Sequence, residues 1–209
     1  MKISIIGASR GIGLELLKRA LAEGHHVTAL LRNPDQLGVS HAHLTAIAGD
    51  LLDPAAVATA MTNQDAVCMC VGIPPTRKPV TLFSRGTANI LASMTQEIKP
   101  KLVFVTGLGA GDSKGHGGFI YDRLFQPLLL GTIYADKDRQ EAMIKASQTD
   151  WLIVRPGFLT NGPLTGSYRA IDNLSGITAG KISRADVADF MLKQLAAPSH
   201  FGKTPLLTY

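Results

Sequence analysis

The chain has 209 residues, of which 45% are hydrophobic and 18% are charged, so we expect residues 1–209 to form one folded domain and not a disordered chain. The net charge of +5 comes from scattered Lys and Arg with no run of five, which argues against a nucleic-acid surface. No apolar run is long enough for a membrane span, and no secretory leader precedes the first predicted strand, so we expect a cytoplasmic protein.

The first predicted strand, turn and helix have the features of a diphosphate site. A β-branched run at Lys2–Ile6 leads into GASRGIG at residues 7–13, the glycine turn, and a segment with helical periodicity follows. Gly7 allows a sharp exit from the strand, Gly11 lets a phosphate approach the backbone, and Gly13 lets the helix lie close to the strands. Glycine-rich turns also occur where no ligand binds. The order of strand, turn and helix, however, presents unpaired backbone N–H groups and the positive end of a helix dipole to a ligand.

The second predicted strand, His26–Leu31, ends at Arg32, and this residue bears on the choice of cofactor. Sites specific for NAD place an acidic residue near this position to hold the ribose 2′-hydroxyl, whereas an arginine accommodates a 2′-phosphate. Arg10, inside the glycine turn, offers a second guanidinium to the same group. The sequence therefore predicts NADP(H), with solvated surface arginines as the alternative.

The next two predicted strands, Leu44–Ala48 and residues 65–71, each end in a turn. After the first, Asp53 stands before a proline and is predicted to cap a helix. Asp50 has two open interpretations, a contact to an adenine amino group or a turn residue. After the second, Gly72 provides a small residue past which a ribose and a diphosphate fit.

A helix is predicted over residues 83–98 and a fifth strand over Lys101–Val105, which places Thr106 at the carboxyl end of that strand. Open α/β sheets put reacting residues there, although a threonine at a strand end is more often structural. Residues 107–118 contain six glycines. We expect a mobile loop over the cofactor or substrate, with a passive surface loop as the alternative.

Residues 121–148 are predicted to be helical with interruptions, and a sixth strand follows at residues 151–154. Residues 158–177 are rich in turns and irregular, and we expect them to form one wall of a substrate pocket. A final helix is predicted with Ser183 as its N-cap in an approximate capping box. A short last strand is predicted at residues 203–208.

Four motifs together resemble the short-chain dehydrogenase/reductase superfamily: GASRGIG, GDLLD, KDRQEAMIKASQTDWLIVRPG and ISRADVADFML. More narrowly, the chain resembles the atypical NAD(P)H-binding group that includes biliverdin reductase B, the flavin reductases and NmrA-like proteins. The resemblance covers nearly the whole chain. It implies an α/β fold with a Rossmann-type, doubly wound parallel sheet in three layers, and a small substrate region formed by loops at about residues 107–118 and 158–177.

The resemblance also implies the residues that bind NADP(H). They are Gly7, Ser9, Arg10, Gly11, Ile12, Gly13, Arg32, Asp50, Leu51, Val71, Gly72, Thr106, Lys137, Pro156 and Gly157. Thr106 and Lys137 are also the candidate catalytic residues. Lys137 is implied to hold the nicotinamide ribose, with a surface helix lysine as the alternative. No metal site is implied.

The chain departs from the superfamily at the tyrosine of its Tyr-x-x-x-Lys pair. If Lys137, four residues before Glu141, is the lysine, then Ile133 occupies the tyrosine position. Tyr134 is one residue away and is expected to point elsewhere, since each helical residue turns by about 100°. Alcohol–ketone chemistry that needs a phenol is therefore not expected.

The function predicted on this basis is hydride transfer from NADPH to a conjugated acceptor that resembles a flavin, a tetrapyrrole or a quinone and takes its proton from solvent. The partner is thus a small molecule, and neither nucleic acid nor a membrane, and the protein is expected to be a monomer or a weak homodimer. The alternative is a non-catalytic NADP(H)-binding sensor of the NmrA-like type.

Overall fold

The computed structural model describes residues 1–95 and 99–209, in which eight strands form one twisted central sheet. The described residues form ten strands, of which eight belong to the central sheet and two form a separate pair. In chain order they are β1 Lys2–Ile6, β2 His26–Leu31, β3 Leu44–Ala48, β4 Ala66–Met69, β5 Lys101–Val105, β6 Trp151–Pro156, β7 Phe158–Thr160, β8 Arg169–Ile171, β9 Lys181–Ser183 and β10 Leu206–Thr208. The central order is β3-β2-β1-β4-β5-β6-β10-β8, and a separate pair joins β7 to β9. Only β8 runs antiparallel to its neighbour among these pairs. The Rossmann-type sheet implied by the resemblance is confirmed.

Helices cover both faces of this sheet, which gives the three layers. They are α1 Gly11–Ala22, α2 Pro54–Met61, α3 Leu82–Ala92, α4 Gly131–Ala146 and α5 Arg184–Ala196, with 3₁₀ turns at Pro34–Gln36 and Gly111–Ser113 and a π-helix at Tyr121–Leu130. Successive strand residues point to opposite faces, so Ile5 packs in the core with α1 and α5. Its neighbour Ile6 packs on the other face with α2, α3 and α4. Within the described ranges, no helix has the length and apolar character needed to cross a membrane.

Two predicted helix caps are confirmed. The Asp53 carboxylate accepts a hydrogen bond from the Ala55 backbone N–H at 2.9 Å, and the Ser183 hydroxyl accepts one from the Asp186 N–H at 3.0 Å. The capping box is incomplete, because the Ser183 N–H donates to the Tyr209 hydroxyl instead of the Asp186 side chain. Both helices therefore begin where their local sequences predict.

Several predicted boundaries are wrong. The fourth strand covers only Ala66–Met69. Helix α3 ends at Ala92. The Ser93 hydroxyl donates a hydrogen bond to the Asn89 carbonyl oxygen, and this bond competes with further helical hydrogen bonds. The predicted end at Ile98 lies outside the described residues. Residues 158–177 are not irregular throughout, since they contain β7 and β8. These strands pair with partners distant in sequence, which local patterns do not show.

Candidate functional site

A cavity of about 960 Å³ lies where the central parallel strands end. Open α/β sheets bind their ligands in this crevice, outside the carboxyl ends of the strands. The predicted cofactor residues that line it are Gly7, Ser9, Arg10, Gly11, Ile12, Arg32, Asp50, Leu51, Val71, Gly72, Thr106, Lys137, Pro156 and Gly157. Gly13 is buried below the cavity wall. The fold thus brings together residues that are up to 150 positions apart in the sequence.

The glycine turn has the geometry that a diphosphate needs. Gly7 has φ +94°, and a Cβ on it would lie 2.9 Å from the Cys70 carbonyl carbon. A Cβ on Gly13 would lie 2.2 Å from the Gly7 carbonyl oxygen. Neither position therefore has room for a side chain. Helix α1 then begins after Arg10 without a side-chain cap and without an acidic residue in its first turn. Its first N–H groups are therefore available to an external anion, so the residues present fit the diphosphate of NAD(P)H.

Three arginines line the cavity near this turn: Arg10, Arg32 and Arg184. Among the described residues, the guanidinium groups of Arg10 and Arg32 have no hydrogen-bond or ion-pair partner in the protein, and both side chains are exposed. Arg184 was not predicted from the sequence, where its motif indicated only a helix start. Arg184 lies close to the glycine turn because α5 begins beside it. The Arg184 Nε atom is 3.6 Å from the position that a Cβ on Gly11 would occupy.

Asp50 and Leu51 follow β3 at another wall of the cavity. The Asp50 Oδ1 atom accepts a hydrogen bond from the Leu52 N–H at 2.8 Å, so Asp50 acts as a turn residue, as one of its two interpretations proposed. Leu51 is buried and packs on Gly86, where a Cβ would lie 2.4 Å from its side chain. Leu51 therefore presents a firm apolar surface next to the cavity.

Lys137 is buried in the cavity wall, so its alternative as a surface lysine is wrong. Its ammonium donates a hydrogen bond to the Thr106 carbonyl oxygen and lies 4.6 Å from the centre of the Phe83 ring. Burial lowers the pKa of Lys137 to about 8, although the charges of Glu141 and Asp136 act in the opposite direction. The amine therefore loses its proton more readily than an exposed lysine does.

A buried ion pair lies directly behind Thr106. Its hydroxyl donates to Glu141 Oε1 at 2.8 Å, and Arg155 binds both carboxylate oxygens of Glu141, at 3.0 and 2.6 Å. Burial alone would raise the pKa of Glu141, but hydrogen bonds and charge from Arg155 outweigh it and lower that pKa. The Thr106 proton is thus engaged inside the protein, and its oxygen can only accept a hydrogen bond from a ligand.

The expectation that Tyr134 points away from the site is wrong. Ile133 packs into the core on the α4 side of the sheet, and this rotates Tyr134 into the cavity wall together with Lys137. Residues three apart share one helix face. The Tyr134 hydroxyl lies 3.2 Å from that of Tyr121, and burial, followed by the effects of Tyr121, raises the pKa of Tyr134. Tyr121 is a second cavity residue that sequence reasoning missed.

The first half of the predicted mobile loop is packed against the protein. Leu108, Ala110 and Ser113 are buried. The Gly111 N–H donates to Asp138 at 2.8 Å, and Asp112 forms an ion pair with Arg155. These contacts hold residues 107–113 against the protein, and the mobility of residues 107–118 stays a prediction. The partners, Asp138 and the buried Arg155, are distant in sequence from this segment.

The far end of the cavity is apolar and aromatic. It is lined by Leu108, Tyr121, Phe158 and Leu159, and the rings of Tyr121 and Phe158 meet edge to face with centroids 5.2 Å apart. Phe158 and Leu159 are each more than one third exposed. Phe158 and Leu159 thus form part of one wall, and a flat apolar ligand has a surface to lie on there.

Comparisons with known proteins agree with this geometry. Residues 7–198 match a family model described as NAD(P)H-binding. The uncharacterized protein YwnB of Bacillus subtilis is 30% identical over 96% of this chain and 94% of its own length. A solved structure of ChuY, an anaerobilin reductase from Escherichia coli O157:H7, is 25% identical with a TM-score of 0.81 and covers 100% of this chain and 97% of its own.

A partial match links the chain to a much longer protein. The uncharacterized protein Rv2047c of Mycobacterium tuberculosis is 33% identical over 106 residues, which are 51% of this chain and only 12% of that protein. The family model and YwnB both extend over most of the chain. The chain therefore belongs to the NAD(P)H-binding family.

Proposed function

We propose that this chain is an NADPH-dependent reductase that passes a hydride to a planar conjugated acceptor. The observation that carries the proposal is one continuous cavity with a glycine turn and arginines at one end and an apolar, aromatic wall at the other. NADPH supplies the hydride when bound, so the protein's main contribution is to hold cofactor and acceptor in contact.

Each residue of the cavity has its own role in holding the cofactor. In the proposal, the glycine turn binds the diphosphate, and Arg10 and Arg32 bind the 2′-phosphate. Lys137 donates to the nicotinamide ribose from its buried position. Thr106 positions Lys137 through its carbonyl oxygen, and its hydroxyl is held by Glu141. Thr106 is therefore a positioning residue here and not a proton donor.

The proton that accompanies the hydride comes from solvent in this proposal. Burial raises the pKa of Tyr134, and the Lys137 ammonium is bound to the Thr106 carbonyl, so the phenol is not activated as an acid. Tyr134 instead orients the acceptor with a hydrogen bond. The exposed rim at Phe158 and Leu159 leaves the acceptor in contact with water.

The likeness to ChuY, described as an anaerobilin reductase, makes a tetrapyrrole-like acceptor the first to test. Purified protein would be mixed with NADPH and with biliverdin, FMN or a quinone in separate reactions, and NADPH oxidation would be followed by absorbance. We expect turnover with at least one acceptor and a loss of turnover in Lys137→Met. Tight NADPH binding with no turnover on any of the three would contradict a reductase.

A second candidate, a non-catalytic NADP(H) sensor, is favoured by one observation. The segment from residue 119 to 129 exposes six large apolar side chains, which are Phe119, Ile120, Leu124, Phe125, Leu128 and Leu129. Monomeric proteins rarely expose such a run, and it is typical of a surface that contacts another protein. The acceptor screen separates the candidates, since a sensor binds NADPH without oxidising it.

A further inference from the structure

Arg184 lies next to the glycine turn and lines the same cavity. It is the first residue of α5, and its Nε and Cδ lie 3.6 and 3.8 Å from the position that a Cβ on Gly11 would take. Gly11 has φ +62° and no side chain, so the turn leaves room for the arginine stem. The guanidinium therefore borders the space where the turn presents its N–H groups.

The direction of this guanidinium is set by a neighbouring side chain in the cavity wall. Arg184 Nη1 donates to Asn161 Oδ1 at 2.7 Å, and Asn161 also lines the cavity. A guanidinium has five N–H donors, and this contact uses one of them. In the described part of the chain, the other four N–H groups have no protein acceptor, so they remain available to a ligand.

The positive charge of Arg184 is not neutralised by a salt bridge within the described residues. The nearest carboxylate in sequence, Asp186, accepts hydrogen bonds from Ser183, Thr165 and Tyr209. The partly buried guanidinium and the N-terminus of α1 are two sources of positive charge beside one cavity. This arrangement favours the binding of an anion.

We propose that Arg184 closes over the diphosphate of the bound dinucleotide and that Asn161 is its positioning residue. The inference rests on the proposed binding of NADP(H). Because NADPH and NADH share the diphosphate, Arg184 should supply affinity without selectivity. Arg10 and Arg32, in contrast, should act on the 2′-phosphate that only NADPH carries.

The test compares the dissociation constants of NADPH and NADH, measured by calorimetry, for the wild type, Arg184→Gln and Arg32→Gln. Arg85→Gln is the control, since Arg85 is exposed and lies outside the cavity lining. We expect Arg184→Gln to weaken both nucleotides by the same factor, about 10 to 100 for a charge-assisted contact. Arg32→Gln should weaken NADPH alone, and Arg85→Gln neither.

Each result has a distinct meaning. Unchanged constants in Arg184→Gln, or a loss confined to NADPH, would overturn the diphosphate contact while leaving NADP(H) binding intact. A wild type that binds neither nucleotide would overturn the proposed function itself. Since Arg184 bonds only Asn161 among the described side chains, we expect Arg184→Gln to keep the wild-type melting temperature.

The role of Asn161 is tested by a double-mutant cycle. Asn161→Ala should weaken both nucleotides in the wild type but have no added effect in the Arg184→Gln background, because it acts through that guanidinium. Equal effects in the two backgrounds would show that Asn161 does not position Arg184.

Discussion

The hydroxyl of Tyr134 lies 3.2 Å from the hydroxyl of Tyr121, on the cavity wall that also carries Lys137. The Tyr121 hydroxyl is also 3.1 Å from the Leu108 carbonyl oxygen, so its single proton has two acceptors within reach. When Tyr121 donates to Tyr134, the Tyr134 proton is available to a ligand. The raised pKa of Tyr134 keeps that proton on the phenol at neutral pH.

The first prediction concerns Tyr134→Phe. Loss of one neutral hydrogen bond costs about 0.5–1.5 kcal/mol, so kcat/KM for the acceptor should fall by up to about tenfold while NADPH affinity is unchanged. Steady-state kinetics with the acceptor found in the screen would measure this, with Tyr168→Phe as a control outside the cavity lining. A fall of more than about a hundredfold would identify Tyr134 as the proton donor.

The second prediction concerns cofactor selectivity. NADPH should bind more tightly than NADH, and Arg10→Gln should reduce this preference, because each lost guanidinium–phosphate contact costs about 1.5–3 kcal/mol, or roughly ten- to a hundredfold. NADH affinity should not change. Fluorescence titration with both nucleotides gives the constants, and equal affinities in the wild type would refute the assignment.

The third prediction concerns Lys137 and pH. Burial lowers its pKa from 10.5 to about 8, so between these pH values the unfolded chain binds more protons than the folded one. The free energy of unfolding should therefore rise with pH in this window for the wild type, relative to Lys137→Met. Below about pH 8 this group should add no pH dependence. Urea unfolding across the window tests the prediction, and parallel profiles for the two proteins would contradict it.

The fourth prediction contrasts two glycines. Gly13→Ala would place a methyl group 2.2 Å from the Gly7 carbonyl oxygen, and such overpacking typically costs about 1–3 kcal/mol of stability. A Cβ on Gly72 would meet no protein atom within 4 Å, so Gly72→Ala should keep the stability but weaken NADPH binding. Thermal melts and titrations separate the two effects. Full NADPH affinity in Gly72→Ala would show that the cofactor does not pass there.

The fifth prediction concerns residues 107–118. The Leu108 N–H donates to the Pro156 carbonyl and the Ser113 N–H to the Ala110 carbonyl. Amides of residues 108–113 should therefore be protected from hydrogen exchange before any ligand is added. Residues 115–119 should gain protection when NADPH and a competitive inhibitor are both bound. Rapid exchange of residues 108–113 in the free protein would contradict this prediction. It would indicate that the loop becomes ordered only when ligands bind.

The sequence alone predicted the features that depend on neighbouring residues. Strands β1, β2, β3 and β5 have their predicted bounds because their β-branched and apolar runs are short and clearly delimited. The glycine turn followed from the backbone demands at Gly7, Gly11 and Gly13. The caps at Asp53 and Ser183 followed because a cap bonds an N–H two or three residues away.

Only the tertiary structure showed that Tyr121, Tyr134 and Arg184 join the predicted residues in the cavity. The rotation of α4 depends on the burial of Ile133 against the sheet, and this contact turns Tyr134 toward the cavity. Arg155 reaches Glu141 and Asp112 across distant segments, and Arg184 reaches Gly11 across most of the chain. Such contacts depend on how elements pack, and local periodicity carries no information about packing between elements far apart in sequence.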